Sequence, residues 1–181
     1  MIKKIFMGLG LLLLAFLAYI VYGMLFPKSL PAKASFSDRG LDISVSYSQP
    51  SKKGRLIFGE EKDGALVPYG QYWRLGANAP TEITFNKDVK FAGMPVSAGS
   101  YRMYAVPGAD SFQIALNSKV GSFSGAAEPD YSLDVVKVNV PVSTLPAETE
   151  KFTINLSSYP DGINLDFVWD RVLVRVPVTL Q

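Results

Sequence analysis

A chain of 181 residues with 48% hydrophobic and 12% aromatic side chains is long enough for one domain plus an appendage and too apolar for disorder. Its formal charge of +2 hides a division: Lys3, Lys4, Lys28 and Lys33 fall in the first 34 residues, and the remainder sets 14 Lys and Arg against 16 Asp and Glu, a sign that argues against nucleic acid as a partner. The absence of Cys and His excludes a lipoprotein anchor, disulfides, the usual zinc sites, a Cys nucleophile and the commonest general base at neutral pH.

The first element in chain order is a helix. Ile5 to Phe26 is an uncharged apolar run of 22 residues, which at 1.5 Å per residue reaches roughly 33 Å and can cross a bilayer core of about 30 Å. Residues 1–4 form a cytoplasmic stub with Lys3 and Lys4, and Tyr19, Tyr22 and Phe26 lie toward the far end, where aromatics favour the interface. Pro27 stops the helix through its ring and missing N–H. The pattern predicts a single-pass membrane anchor over 5–26, N-in and C-out, with an extracytoplasmic domain that is periplasmic or on the cell surface. The alternative is a signal peptide cleaved after Ala34, because Ala32-Lys33-Ala34 has the small-x-small form of a cleavage site. Signal h-regions, however, usually span only about 7–15 residues.

Residues 27–37, polar and proline-containing, read as a linker to a domain over 38–181. Beyond it the periodicity is two. Leu41, Ile43, Val45 and Tyr47 alternate with polar residues, as do Phe152, Ile154 and Leu156, then Ile163, Leu165, Phe167 and Trp169, then Val172, Val174, Val176 and Val178. Each set places its apolar side chains on one side of a half-buried antiparallel strand. Shorter strands are predicted at Arg55–Phe58, Tyr72–Leu75, Glu82–Phe85, Val89–Phe91, Tyr101–Val106 and Phe112–Asn117. The apolar phase switches at Val135-Val136, which predicts a β-bulge, and Pro177 requires an edge or a bulge. Asp63-Gly64, Pro107-Gly108 and Asp161-Gly162 read as turns. The expected fold is all-β, an antiparallel β-sandwich of about ten short strands behind one N-terminal transmembrane helix, with a barrel as the alternative.

One region is denser in unusual residues than such a fold requires. It runs Ser48-Gln49-Pro50, Gly54-Arg55 and Phe58-Gly59, then Leu66-Val67-Pro68-Tyr69-Gly70 and Trp73-Arg74-Leu75-Gly76-Ala77-Asn78. With the later Glu82-Ile83-Thr84-Phe85, Ala98-Gly99-Ser100-Tyr101 and Val106-Pro107-Gly108, in that order, it resembles bacterial domain-of-unknown-function family 2911. The resemblance implies envelope export and a compact β domain and supplies no activity. Two departures stand out: Ala79-Pro80 follows Asn78 where members often have Glu, and Phe112 stands where the aromatic after Pro-Gly is often Trp. Chemistry that depends on that Glu would be missing here.

The same region holds the candidate ligand-binding residues Arg55, Tyr69, Tyr72, Trp73, Arg74, Asn78 and Glu82. An Arg beside Trp and Tyr can stack on a sugar or aromatic ring and fork two hydrogen bonds to a carboxylate, and Asn78 adds an amide. The competing account makes Trp73 core and buries Arg74 against Glu82 as a structural pair. Without His or Cys, the enzymatic option is a carboxylate pair as in glycan hydrolases, with Glu60, Glu61, Glu82 and Asp88 nearest. Ser51-Lys52 and Ser118-Lys119 lack the spacing of Ser-Lys catalysis. Asp161, Asn164 and Asp166 could offer calcium three oxygens, but they read more simply as one turn and the solvent face of one strand. No catalytic residue, metal ligand or cofactor is assigned. The expected partners are the membrane through residues 5–26 and a small ligand, a glycan or a peptide, with docking on an envelope protein as the structural alternative.

Overall fold

The computed structural model describes residues 2–25, 28–121 and 127–181. Phe26 and Pro27, expected as interfacial aromatic and helix stop, lie outside the described residues, as do the side chains of Lys3 and Lys4. Helix α1 (Ile2–Leu25) contains one window, Phe6–Gly23, long and apolar enough to cross a membrane, and none of that window is buried against the rest of the chain. Apolar on every side and shielded on none, it has the form of a membrane anchor or a signal sequence.

The remaining regular structure is eleven strands and two short 3-10 turns among the described residues. Nine strands form one antiparallel sheet in the order β1-β2-β5-β8-β9-β10-β11-β6-β7. These are β1 (Leu30–Asp38), β2 (Leu41–Gln49), β5 (Thr81–Phe85), β6 (Val89–Phe91), β7 (Met94–Val96), β8 (Gly99–Val106), β9 (Ser111–Asn117), β10 (Asp134–Tyr159) and β11 (Gly162–Leu180). A separate parallel pair joins β3 (Phe58–Gly59) to β4 (Val67–Pro68).

Two long, bent strands turn this sheet into two layers. β10 pairs with β9 through residues 134–141 and with β11 from Val142 onward, so it belongs to both layers. Its ladder with β11 is interrupted twice between Thr144 and Thr153, and Asp170 opposite sits at φ 55°. The bend is sharp enough that Arg175 reaches back to Asp166 on its own strand, at 2.7 Å on both carboxylate oxygens. It also brings Gly162 against the Val178 carbonyl, where no side chain would fit. The inner faces then meet: Phe85 of β5 lies 6.4 Å from Phe91 of β6, and Phe58 touches both Phe112 of β9 and Trp169 of β11. One continuous core results, with Leu41, Ile43, Val45, Met103, Ile114, Ile154, Leu165 and Val176 all fully or nearly fully buried.

The expected all-β antiparallel fold with one N-terminal helix is what is seen. β2, β5, β6, β8 and β9 match their predicted positions to within two residues. The bulge at Val135-Val136 appears as a register shift between Asp134 and Val136. Other expectations need correction. Residues 30–38 are not linker: they form the edge strand β1, paired residue for residue with β2 from Leu30↔Gln49 to Asp38↔Leu41. Its Ala32, Ala34 and Phe36 alternate inward, and Pro31 is tolerated at the edge. Arg39 (φ 50°) and Gly40 (φ 76°) close that hairpin, as a two-residue turn with two left-handed positions requires. Tyr72–Leu75 is no strand, only a bridge between Trp73 and Ala105. Of Arg55–Phe58, only Phe58 enters a strand. β7 was not anticipated. Ile163–Trp169 and Val172–Val178 are one strand, and Asn164 and Asp166 do not face solvent: the fold-back of β11 leaves each 8% exposed.

Candidate functional site

The segment from Tyr72 to Asn78 crosses one end of the sandwich as a loop with three left-handed residues, Leu75 (φ 51°), Gly76 (φ 150°) and Asn78 (φ 58°). Such backbone persists only where its surroundings hold it. Trp73 exchanges backbone hydrogen bonds with Ala105 at 2.8 Å in both directions. Thr81 donates its hydroxyl to the Leu75 carbonyl at 2.6 Å, and the Trp73 indole N–H reaches the Gly76 carbonyl at 3.3 Å. A Cβ on Gly76 would stand 2.8 Å from the Ser48 carbonyl oxygen, so only glycine fits there. At the loop's end Asn78 donates its amide to the Ser29 carbonyl at 3.0 Å. The chain that leaves α1 is thereby fastened to this loop.

Beside the loop lies a cleft of about 650 Å³. Its apolar lining comes from Pro50, Leu66, Val67, Pro68, Trp73 and Trp169, and its cations are Lys28, Lys53, Arg55 and Arg74. Among the described residues no Asp or Glu lines it. The ion pairs among the described residues engage Arg39, Lys52, Lys137 and Arg175, and none of the four cleft cations. Glu150 approaches but is turned to the backbone N–H of Lys53 at 2.9 Å. Arg55 is aimed by its own backbone: Nε donates to the Lys52 carbonyl at 2.9 Å and Nη2 to that of Ser51. Arg74 Nη1 donates to the Asn78 carbonyl at 3.1 Å.

Of the seven candidate residues, the structure brings Arg55, Tyr72, Trp73, Arg74 and Asn78 to this cleft and leaves Tyr69 and Glu82 outside its lining. Tyr69 is held through its backbone N–H to the Gly59 carbonyl. The pair expected between Arg74 and Glu82 is absent; Glu82 accepts the Gly121 N–H at 2.7 Å and stands opposite Arg102 in the ladder. Trp73 is core, as one of the two sequence readings had it. It is 6% exposed, stacked on Trp169 at 5.9 Å and met by Phe58 at 5.4 Å and Phe152 at 5.0 Å. Its ring faces are therefore taken, and it offers the cleft an apolar wall, not a platform for a sugar. Sequence reasoning missed Lys28, Lys53 and Trp169. Lys28 falls in the stretch 27–37 read as a linker, and Lys53 stands in a Ser-Lys-Lys run beside Pro50.

Tyr72 is braced from behind. Arg102, 4% exposed, donates Nη2 to the Tyr72 hydroxyl and to the Ala127 carbonyl at 2.7 Å, and its Nε has no partner among the described residues. Its guanidinium also lies 5.7 Å from the Tyr72 ring centre. Tyr104 follows, donating to Asp134 at 2.6 Å; burial, then that carboxylate, raises its pKa. Tyr131 packs on Tyr104 at 5.8 Å and is pushed up to about 12, first by burial and then by its bond to Glu128.

The remaining chemical options lose their groups to structural partners. Lys52 lies between Asp170 at 2.8 Å and Glu148 at 2.9 Å, and these bonds raise its pKa, so it cannot serve Ser51 as a base. Asp166 spends both oxygens on Arg175, which takes it from the three-oxygen run weighed above as a calcium site and set aside. Among the described residues no group of His, Cys, Asp and Glu could hold a metal ion.

A family model described as a protein of unknown function (DUF2911) matches residues 29–178. The match begins at Ser29, which agrees with β1 being part of the domain. No curated protein matches, and no solved structure does.

Proposed function

The chain belongs to the DUF2911 family, whose description carries no activity, and for this member we propose a non-catalytic binding module that takes a small anionic ligand in the Arg74 cleft. The observation that carries the proposal is the charge of the lining: four cations and no carboxylate in a domain whose net sign is negative. Unpaired cations crowded together repel one another, and an anion relieves that repulsion while gaining charge-assisted hydrogen bonds. The volume suits a small molecule, for which clefts run to about 300–1,000 Å³. Arg55 and Arg74 supply planar forks for a carboxylate or phosphate, Lys28 and Lys53 supply mobile charge, and the Trp-Pro wall accepts an apolar part. A carboxylated glycan or a peptide C-terminus meets this description. A hydrolase would need two carboxyl groups facing one substrate, and the described residues of this lining supply none.

In the same reading α1 is an uncleaved anchor and the domain stands outside the cytoplasm. Cleavage after Ala34 would strip Leu30 to Ala34 from the β1–β2 ladder and remove Ser29, the partner of Asn78. A thermal-shift screen of the detergent-solubilised chain tests the function, using acidic sugars and N-acetylated peptides against their neutral counterparts. An anionic ligand at about 100 times its Kd adds roughly 2.7 kcal/mol, or about 5–10 °C for a domain of this size. The shift should follow the anion and disappear in Arg74→Gln. Equal shifts from neutral counterparts would refute the anionic reading.

A further inference from the structure

Resting on the two readings above, the anionic cleft and the α1 anchor, we propose that the ligand is the phosphate-bearing headgroup of an anionic lipid in the leaflet from which the domain emerges. The argument is one of reach. α1 ends at Leu25, and Lys28 already lines the cleft. Three extended residues span at most about 11 Å, and the headgroup zone on each side of a bilayer is roughly 5–8 Å deep. The wall that carries Lys28 is therefore held at the level of the headgroups. The Asn78–Ser29 hydrogen bond ties that same stretch to the loop bearing Arg74, so the cleft cannot swing far from the surface on its tether.

Charge points the same way. The part of the chain beyond residue 34 carries 14 Lys and Arg against 16 Asp and Glu, and an acidic leaflet repels such a domain as a whole. Four of the cations that make no ion pair among the described residues, Lys28, Lys53, Arg55 and Arg74, are gathered in this cleft, one of them three residues from the end of α1. A phosphodiester offers two anionic oxygens to the Arg55 and Arg74 forks, and Leu66, which is 41% exposed at the cleft, faces the glycerol and upper acyl region. A soluble phosphate ester presents the same chemistry, so the test must separate the two sources.

The only two tryptophans, Trp73 and Trp169, both line the cleft, and intrinsic emission therefore reports on it directly. The full chain would be placed in nanodiscs of phosphatidylcholine alone or mixed with phosphatidylglycerol. We expect the emission to differ between the two. The difference should vanish in Lys53→Gln/Arg74→Gln and survive in Lys90→Gln, which lies on β6 away from the cleft. Each removed cleft charge should weaken apparent lipid affinity about fivefold. Equal loss in Lys90→Gln would overturn the inference in favour of general surface attraction. Identical emission in both discs would also overturn it, and glycerol phosphate added to the phosphatidylcholine discs then decides what remains. A response there leaves the anion cleft standing with a soluble phosphate as its ligand; silence there, and to galacturonate added in turn, removes the cleft reading as well.

Discussion

Trp73 and Arg74 are neighbours in sequence, and the structure predicts opposite consequences for replacing them. Trp73→Ala removes a nearly buried indole with three aromatic neighbours. Emptying such a site costs about 3–5 kcal/mol, the lost ring contacts included. At about 2–4 °C per kcal/mol for a chain of this length, the melting point should fall by roughly 6–20 °C. Arg74→Gln removes one hydrogen bond, at 3.1 Å, to an exposed carbonyl. A bond of that kind contributes about 0.5–1.5 kcal/mol, so the melt should move by no more than about 6 °C while anion binding is lost. Thermal melts followed by near-ultraviolet circular dichroism, with ligand titrations on the same samples, measure both. If Arg74→Gln unfolds as early as Trp73→Ala, the arginine is a structural prop and the cleft loses its principal recognition group.

Gly76→Ala should destabilise by about 1–3 kcal/mol, because its Cβ meets the Ser48 carbonyl at 2.8 Å with φ at 150°; an unchanged denaturant midpoint would refute this account of the loop. The chain recovered from membranes should keep its full mass of 19.8 kDa, and a form beginning at Ser35 should melt earlier, having lost half of β1. Stability should also fall in alkali. Tyr131 is raised from 10.0 to about 12 and Tyr104 is raised too, so the folded state resists losing protons that the unfolded chain gives up. Their contribution is full below pH 10 and is lost as pH climbs through 12. Tyr131→Phe should flatten part of that loss, and an identical alkaline profile would show that the hydroxyl does not titrate this way.

Much of the sheet was legible because its signal is simple alternation. Leu41, Ile43, Val45 and Tyr47 announce β2 without ambiguity, and the Val135-Val136 phase switch announced its bulge. β1 was not legible: two of its three inward residues are Ala32 and Ala34, small and weak in β-propensity, and Pro31 with Lys33 gave it the composition of a linker. The bend in β10 and β11 was hidden for a different reason. It sits where the ladder breaks register between Thr144 and Thr153 and Asp170 turns to φ 55°, and no alternation of apolar and polar residues marks that place. The apparent solvent face at Asn164 and Asp166 was a faithful reading of period two, overridden when the strand folded back on itself.

The site divides in the same way. The Trp73–Asn78 block marked itself by its density of Trp, Arg, Gly and Asn, and the structure gives it structural tasks: Trp73 fills the core, Gly76 clears Ser48, and Asn78 clamps Ser29. Its partners in the cleft come from residues 28–29, 50–55, 66–68 and 169, segments that only the fold assembles. A charge tally along the chain finds a slightly acidic domain. It cannot find four cations gathered on one side of it.

The central claim is that this cleft selects a negative charge, and one titration tests it most directly. Tryptophan emission of the full chain would be followed against galacturonate and against galactose, which differ by a carboxylate, in wild type and in Lys53→Gln/Arg74→Gln. The account predicts a saturable change with galacturonate that weakens with added salt and is lost in the double variant, with no change from galactose. Equal responses to both sugars, or a galacturonate response that survives the double substitution, would contradict it.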